Sequence, residues 1–462
     1  MSTSNIYYYR YKIDVKKWGL KPSYTQWIYE QIIIPALSHG SVVWSHIIDS
    51  RKWATNMLNH VQRSALLLIT GAISSTPTCY LEVLTQLPPL DLRIHSSSLK
   101  TFLRLNITSS ASNGLRDGKL KSHSILLSDQ IKKILPPLSL IDIAPASLNL
   151  TQSFITIILE RSLALVQIPL LHKLDTLVGY TDGSVKNNLA GAGFILYLNS
   201  STISEHFIKL GNTTTIFQAE LLAILHLCIH LSNSNHEASE LHICIDSKAV
   251  LHALSGTITR SHLIMDTLKA LNFLSRTFSI TLHWVPAHSG IQGNDLADTL
   301  ANKGSDSPPI GPPPFAPYTH STLSNILDSY FSRLHYNRIL LFRSSSDFHQ
   351  SNIISFFDRH LDIKQHNRDN TRILTHLFTG CSYLRYFQNK IGNESNSICK
   401  KCDEDKETTA HYLTSCPAFS SHRKYYFGDY TIREDTFHLI YSISNIVGFA
   451  RATKYLDFYE PP

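Results

Sequence analysis

The chain of 462 residues has no apolar run as long as the roughly 18 residues that suggest a membrane-spanning helix. Residues 1–17 are polar and rich in tyrosine, and they lack the apolar segment of a signal peptide. Charged residues make up 17% and hydrophobic residues 43%, a balance that excludes an intrinsically disordered chain. The seven cysteines fit reduced thiols or metal ligands better than a disulfide framework. We expect an intracellular protein, nuclear or cytoplasmic, that is not secreted and binds no membrane.

Charge is distributed unevenly over the chain, whose net charge is +7. Residues 1–105 carry 11 basic and five acidic side chains, whereas residues 177–306 carry seven basic and ten acidic ones. A basic flank suits a polyanionic partner such as nucleic acid, although a basic surface without any partner explains the same count. The acidic segment is instead a candidate for binding cations.

Two stretches have the composition of linkers. Residues 106–128 are rich in Ser, Asn, Gly and Lys, and six prolines between Pro308 and Pro317 predict a stiff, extended spacer. These stretches divide the chain into five predicted regions: a helical region 1–105, a linking and connecting segment 106–171, a central domain 172–306, a Pro-rich linker 307–322 and a helical region 323–462.

Hydrophobic periodicity predicts a different fold class for the centre than for the flanks. The flanks are predicted to be mainly helical, over Tyr24–Ile48, Trp53–Ile69 and Leu323–Phe342 among other segments. The centre has the order β-β-β-α-β-α-α-β-α, which predicts an α/β fold with a mixed five-stranded sheet and packed helices. The five predicted strands are Leu177–Asp182, Gly191–Leu198, Thr202–Leu210, Leu241–Asp246 and Ile280–Val285.

Four acids of the central region stand at positions that suit a metal site. Asp182 and Asp246 end predicted strands, Glu220 is the one charged residue in the apolar helix Ile216–Leu231, and Asp298 lies on the last helix. A carboxylate in so apolar a helix is costly to bury unless a cation or donor meets it. Singly, Asp182 suits a turn, Asp246 a helix cap and Asp298 a solvated surface. Together, clustered carboxylates suit Mg²⁺, and two ions about 4 Å apart can catalyse displacement at phosphorus.

At these residues the sequence resembles the type 1 ribonuclease H family. The resemblance spans about residues 177–304 and rests on five segments: Tyr180–Ser184, Gly191–Gly193, Gln218–Leu221, Ile245–Ser247 and Trp284–Asp298. It implies that Asp182, Glu220, Asp246 and Asp298 bind two Mg²⁺ ions, for which Mn²⁺ can substitute. It also implies that His288 assists proton transfer or product release. Ala287 and Asp295 are mild departures from the family pattern.

The activity that this resemblance implies is cleavage of the RNA strand of RNA–DNA hybrids, leaving 3′-hydroxyl and 5′-phosphate ends. Specificity for RNA requires contact with 2′-hydroxyl groups in the minor groove. We expect Ser184, Gln218 and Asn294 to contact the substrate. Nothing in the sequence points to an obligate protein partner.

The flanks resemble regions of non-LTR retrotransposon polyproteins. Segments between residues 20 and 105, such as Leu87–Arg93, are similar to the part that follows the reverse transcriptase core. The chain contains no Tyr-x-Asp-Asp motif, so we infer no reverse transcriptase activity. We expect region 1–105 to be either a packing scaffold or a surface that binds nucleic acid backbone through its basic groups.

A second metal site is predicted near the C-terminus. Cys399 and Cys402 form a C-x₂-C pair, and His411 and Cys416 form an H-x₄-C pair. Two such pairs can give Zn²⁺ four tetrahedral ligands, and a similar Cys/His motif follows the ribonuclease H domain of such retroelements. Cys381 or His422 is an alternative ligand. The four residues could instead be free thiols and a histidine on a helical hairpin.

Two other functions fit parts of the sequence. One is a different nuclease on the same kind of fold, which the His288-to-Asp298 spacing disfavours. The other is a catalytically inactive retroelement remnant that acts at most as a nucleic-acid-binding module. The four acids are all present, which disfavours a decayed enzyme.

Overall fold

The computed structural model describes residues 20–107, 121–137, 140–144, 147–234, 236–308, 316–345, 365–433 and 442–455. Parts of both predicted linkers, residues 108–120 and 309–315, lie outside the described residues. The chain forms two compact units, one made of Met1–Leu99 with Ser329–Pro462 and the other of Lys100–Asp328. Along the described residues, the helices are too short or too polar to cross a bilayer.

The second unit is built on a six-stranded mixed sheet. Its strands stand in the order β2-β8-β6-β3-β4-β5, with β3, β4 and β5 antiparallel and β3, β6, β8 and β2 parallel. A separate antiparallel pair joins β1 to β7. The strands are β1 Leu148–Asn149, β2 Ile155–Ile157, β3 Thr176–Lys186, β4 Leu189–Leu198, β5 Ser201–Gly211, β6 Glu240–Ile245, β7 Ile258–Thr259 and β8 Ser279–Trp284.

Helices cover both faces of this sheet. Apolar side chains of α10, α11 and α12 form one core with one sheet face, and residues of α13 join a smaller core on the other. Strand β3 is buried along its first nine residues, because it lies inside the sheet and is covered on both sides. The helices that begin in this unit are α8 Lys121–Ile134, α9 Arg161–Gln167, α10 Ile216–Ser232, α11 Lys248–Leu254, α12 His262–Leu274, α13 Gln292–Asp306 and α14 His320–Ser345.

The predicted α/β order is confirmed. All five predicted strands are present, and the apolar helix expected over Ile216–Leu231 is found as α10, Ile216–Ser232. The sheet has one strand more than predicted, because Ile155–Ile157 pairs in parallel with β8. A three-residue strand whose residues are all exposed or half-buried carries too little alternation to be recognised in sequence.

The first unit is mainly helical and joins the two ends of the sequence. Leu84 packs in one core with Ile373 and Leu374, and Thr375 Oγ1 donates to the Thr70 carbonyl at 3.3 Å. The linear division into five regions did not anticipate this grouping. The helices that begin in this unit are α1 Pro22–Ile28, α2 Ile34–Ser38, α3 Ser41–Trp44, α4 His46–Ser50, α5 Lys52–Thr70, α6 Thr78–Thr85, α7 Leu90–Ile107, α15 Arg368–Thr379, α16 Arg385–Lys390, α17 Ser420–Phe427 and α18 Ile443–Ala452.

The helical character predicted over Tyr24–Ile48 is confirmed, but the segment consists of several short helices rather than one. A π-helical turn, Tyr29–Ile33, joins α1 to α2, and the chain turns at Gly40, whose φ is +62°. A left-handed residue interrupts the helix, and glycine adopts that conformation without steric cost. The helix predicted over Trp53–Ile69 is confirmed as α5, and the one over Leu323–Phe342 as part of α14.

Candidate active site and Cys/His cluster

Glycine lets helix α10 lie directly against strand β3. A Cβ atom on Gly183 would lie 2.5 Å from the backbone nitrogen of Glu220 and 2.8 Å from the carbonyl carbon of Ala219. Any side chain at position 183 would therefore push the helix away from the strand. The contact brings the side chain of Glu220 next to Asp182, the residue before this glycine.

Strand β4 provides the same kind of contact for helix α13. A Cβ atom on Gly191 would lie 2.2 Å from the Ser305 nitrogen, and one on Gly193 would lie 2.5 Å from the Ala301 nitrogen. The Gly-Ala-Gly segment therefore allows α13 to pack closely on the sheet. Asp298 of α13 lies close enough to Asp182 of β3 for their like charges to interact.

Asp246 follows strand β6, which runs parallel to β3 with Ile245 opposite Thr181. Parallel neighbours bring their carboxyl ends to one sheet edge, so Asp246 lies beside Asp182. The indole Nε1 of Trp284 donates to the Asp246 carbonyl at 3.0 Å. The helix cap is Ser247, whose side chain accepts from the Val250 nitrogen, so capping of α11 does not occupy the Asp246 carboxylate.

Three of the four predicted acids form one tight group, which we call the acidic group: Asp182, Glu220 and Asp246. Their ligand atoms all lie within 4.8 Å of one another. Asp182 is 5% exposed and Glu220 is 6% exposed, and Glu220 Oε2 is buried without a hydrogen-bond partner. A buried oxygen without a donor and three hard carboxylate ligands fit a divalent cation such as Mg²⁺.

The electrostatics of the acidic group favour bound protons when no cation balances it. Burial, with the like charges of Asp246 and Asp298, raises the pKa of Asp182 to about 8. Burial, with the charges of Asp246 and Asp182, raises the pKa of Glu220 well above its ordinary value. Burial likewise raises the pKa of Asp246. Three ionised carboxylates at this separation therefore require a cation.

Comparison with known proteins agrees with this geometry. The ribonuclease H family profile matches residues 175–306. A ribonuclease H of Polynucleobacter asymbioticus is 31% identical over 137 residues, which cover 27% of this chain and 86% of that protein. The chain belongs to the ribonuclease H family. We call residues 175–306 its ribonuclease H domain.

Two further similarities cover a comparable share of the chain. The ribonuclease H of Ruthia magnifica is 29% identical over 145 residues, covering 29% of this chain and 97% of that protein. The crystal structure of RNase H1 from the halophilic archaeon Halobacterium salinarum NRC-1 covers 28% of this chain and 98% of that one. Its sequence identity is 23% and its TM-score is 0.25.

The fourth predicted acid of the ribonuclease H domain, Asp298, is half-buried and lies outside the acidic group. Asn302 Nδ2 donates to Asp298 Oδ1 at 2.9 Å, and Asn302 Oδ1 accepts from Ser184 Oγ at 2.7 Å. Sequence reasoning did not single out Asn302, because an asparagine on a polar helix surface carries no pattern of its own. Its spacing of four residues from Asp298 was the available signal.

His288 lies in the exposed loop between β8 and α13 and has a φ of +47°. Positive φ is uncommon for a residue with a side chain, and such residues cluster at functional sites. The structure thus places His288 where its ring meets solvent rather than within the acidic group. Its role in proton transfer stays a prediction.

The predicted substrate contacts are largely buried. Gln218 is 1% exposed: its Oε1 accepts from Thr215 in a capping box, and its Nε2 donates to the Pro317 carbonyl at 2.6 Å. Asn294 is 2% exposed, with Oδ1 buried and lacking a hydrogen-bond partner. Ser184 is 8% exposed. The geometry thus gives Gln218 a structural role, and substrate contact by all three stays a prediction.

The predicted zinc ligands also come together, in what we call the Cys/His cluster: Cys399, Cys402, His411 and Cys416. Their ligand atoms lie within 4.8 Å of one another. Cys399 and Cys416 have sulfurs 3.9 Å apart, and Cys402 Sγ lies 3.3 Å from His411 Nε2. Three sulfurs and one imidazole nitrogen are a ligand set typical of structural Zn²⁺. The alternative ligands Cys381 and His422 do not belong to this cluster.

A buried carboxylate supports the turn of the Cys/His cluster. Glu407 is 1% exposed, its Oε2 accepts from the Arg385 nitrogen at 2.8 Å, and its Oε1 accepts from the Lys400 nitrogen at 3.1 Å. Lys400 lies between the first two cysteines. Glu407 therefore ties the C-x₂-C turn to the start of α16.

Proposed function

We propose that this protein is a Mg²⁺-dependent endonuclease that cuts the RNA strand of RNA–DNA hybrids. The observation that carries the proposal is the acidic group, with its buried and unpartnered Glu220 Oε2. Family membership supports the reaction class. Divalent ions bound there would supply electrostatic stabilisation of the charge that develops at the phosphorus, and Mn²⁺ would substitute for Mg²⁺.

Each predicted site residue would have its own role in this reaction. Asp182, Glu220 and Asp246 would hold the ions, and Asp298 would add a fourth carboxylate from α13. His288 would transfer a proton between the reaction site and solvent, because its loop is exposed. Contacts to 2′-hydroxyl groups would select the RNA strand.

The test uses the full chain with a labelled RNA–DNA hybrid, and with RNA and DNA duplexes as comparison substrates. We expect loss of the RNA strand of the hybrid only, with Mg²⁺ and not with EDTA. Asp246→Asn should reduce cleavage at least about 100-fold, since it removes one charged ligand. Asp295→Asn is the matched control, because Asp295 is exposed on α13. A folded protein that leaves the hybrid intact at every Mg²⁺ or Mn²⁺ concentration would refute the proposal.

We further propose that the chain derives from a non-LTR retrotransposon polyprotein. The support is the similarity of residues 20–105 to the part that follows a reverse transcriptase core, together with the Cys/His motif after the ribonuclease H domain. Sequencing the genomic locus tests this origin. A reading frame for a polymerase core directly upstream supports it, and a locus with a ribonuclease H gene of cellular type and no retroelement sequence contradicts it.

We also propose that the Cys/His cluster binds one structural Zn²⁺ ion. The support is the convergence of four predicted ligands within 4.8 Å. The protein purified without chelator should contain about one zinc per chain by elemental analysis. Cys402→Ser should lower the content, whereas Cys79→Ser, at a half-buried cysteine outside the cluster, should not. Equal zinc content in both variants would contradict the assignment.

A further inference from the structure

Two consecutive side-chain hydrogen bonds join strand β3 to helix α13 in the ribonuclease H domain. Ser184 Oγ donates to Asn302 Oδ1, and Asn302 Nδ2 donates to Asp298 Oδ1. We propose that Asn302 is a positioning residue that orients the Asp298 carboxylate toward a divalent ion, and that Ser184 orients Asn302. This inference rests on the proposed ribonuclease H function and deepens it.

The direction of both hydrogen bonds follows from the chemistry of the three groups. An ionised carboxylate only accepts, so the amide group that faces Asp298 must be the NH₂ of Asn302. The amide oxygen then faces Ser184, whose hydroxyl has one proton to donate. Without that hydroxyl, only the hydrogen bond to Asp298 holds the amide in this orientation. Ser184 therefore stabilises the orientation that Asp298 needs.

Asp298 needs such support more than the other three acids do. The members of the acidic group lie within 4.8 Å of one another, and two of them, Asp182 and Glu220, are buried, whereas Asp298 lies outside that group and is only half-buried, as Asp246 is. Close packing on Gly191 and Gly193 places the backbone of α13. The hydrogen bond from Asn302, one helical turn later, is what orients the Asp298 side chain on that helix.

Asn302 occupies only one oxygen of Asp298, so Oδ2 stays available to a ligand. Hydrogen-bond partners of metal-binding carboxylates typically change ion affinity by about 10- to 100-fold. Because Ser184 lies two residues after Asp182 on β3, the two hydrogen bonds also tie the strand of one predicted ligand to the helix of another.

The test compares full-length wild type with Asn302→Ala, Ser184→Ala and the double variant. Thr299→Ala on the exposed side of α13 is the control. One readout is the dissociation constant for Mn²⁺ without substrate, measured from the electron paramagnetic resonance signal of free Mn²⁺. The other is the Mg²⁺ concentration that gives half-maximal cleavage of the hybrid. Alanine favours helix more than asparagine does, so helix α13 itself should not be weakened.

We expect Asn302→Ala to raise both quantities at least about tenfold. Ser184→Ala should raise them by a smaller factor. The double variant should match Asn302→Ala, because the two residues act in series. Thr299→Ala should behave like wild type. If Asn302→Ala does not fold by circular dichroism, Asn302→Leu keeps the size and removes both hydrogen bonds.

Three results would overturn the inference. If Asn302→Ala binds Mn²⁺ as tightly as wild type does, and the wild-type protein cleaves the hybrid, the positioning role is refuted and the ribonuclease H proposal stands. If the double variant raises these two quantities by the product of the two single-variant factors, Ser184 and Asn302 act independently and not in series. A wild-type protein that neither binds Mn²⁺ nor cleaves the hybrid would refute both proposals.

Discussion

Replacing Asp182 by asparagine should make the metal-free ribonuclease H domain more stable at alkaline pH. Burial and neighbouring carboxylates raise the pKa of Asp182 to about 8, whereas an aspartate in an unfolded chain has a pKa of about 3.9. The folded state therefore keeps a proton that the unfolded state has lost. Stability from this group is fully present below about pH 4 and decreases as pH rises to about 8.

The size of the effect follows from the same pKa difference. One pH unit between the two pKa values corresponds to about 1.4 kcal/mol, so from pH 6 to pH 8 the ceiling is about 3 kcal/mol. Asp182 shares its titration with Asp246 and Glu220, so we expect about 1–3 kcal/mol. Asp182→Asn should lose this part of the pH dependence, and its free energy of unfolding should exceed that of wild type at pH 8.

Hydrogen exchange of the amides in β3 and α10, measured in EDTA at pH 6 and pH 8, reports the stability of this domain. Asp295→Asn, at an exposed acid of α13, is the control for removing a charge. Saturating Mg²⁺ should abolish the difference, since bound cations favour the ionised carboxylates. Equal pH dependence in wild type and Asp182→Asn, or wild type that gains stability relative to it as pH rises, would refute the reasoning.

Three further substitutions test other contacts. Gly183→Ala should lower the free energy of unfolding by about 1–3 kcal/mol and reduce hybrid cleavage at least about tenfold, because the new Cβ would clash with the Glu220 backbone. Denaturant unfolding measures the first effect and steady-state kinetics the second. Burial raises the pKa of Glu82 to about 7, so the stability of the mainly helical first unit falls as pH rises from about 4.5 to 7. Glu82→Gln should therefore stabilise that unit by about 1–3 kcal/mol at pH 8, with little change at pH 4.5. Hydrogen exchange of the α6 amides measures this, and no gain in protection at pH 8 would contradict it. Glu407→Gln leaves one acceptor oxygen for the two backbone nitrogens of Lys400 and Arg385 and should weaken zinc retention against a chelator about tenfold. Wild-type retention would contradict this role.

The architecture of the ribonuclease H domain could be predicted because its information is local. Alternating and continuous apolar segments marked the five longer strands, and the helix expected over Ile216–Leu231 is observed as Ile216–Ser232. Strand β2 escaped prediction because Ile155–Ile157 is too short to show a period. The pairing of the N-terminal and C-terminal helices is non-local, and hydrophobic periodicity does not say which helix packs against which.

The candidate site could be predicted in composition but not in distance. The residues that form the acidic group and the Cys/His cluster were all named from sequence, because each follows a recognisable segment. Sequence could not say that Asp298 lies outside the acidic group, since that depends on side-chain orientation on α13. Gln218 was named as a substrate contact, although Thr215 three residues earlier already matched a capping box.

The composition of the first, mainly helical unit has an implication for how the protein folds during synthesis. Its core combines Leu84 with Ile373 and Leu374, so the ribosome must translate the whole ribonuclease H domain before the second half of that core exists. At a rate of roughly 5–20 residues per second, the first half waits for tens of seconds with part of its apolar surface uncovered. The ribonuclease H domain is continuous in sequence and can fold within that interval. Because the two halves of this unit flank the ribonuclease H domain in sequence, we expect a chaperone to bind the nascent N-terminal helices. It would be released once residues near Leu374 emerge from the ribosome.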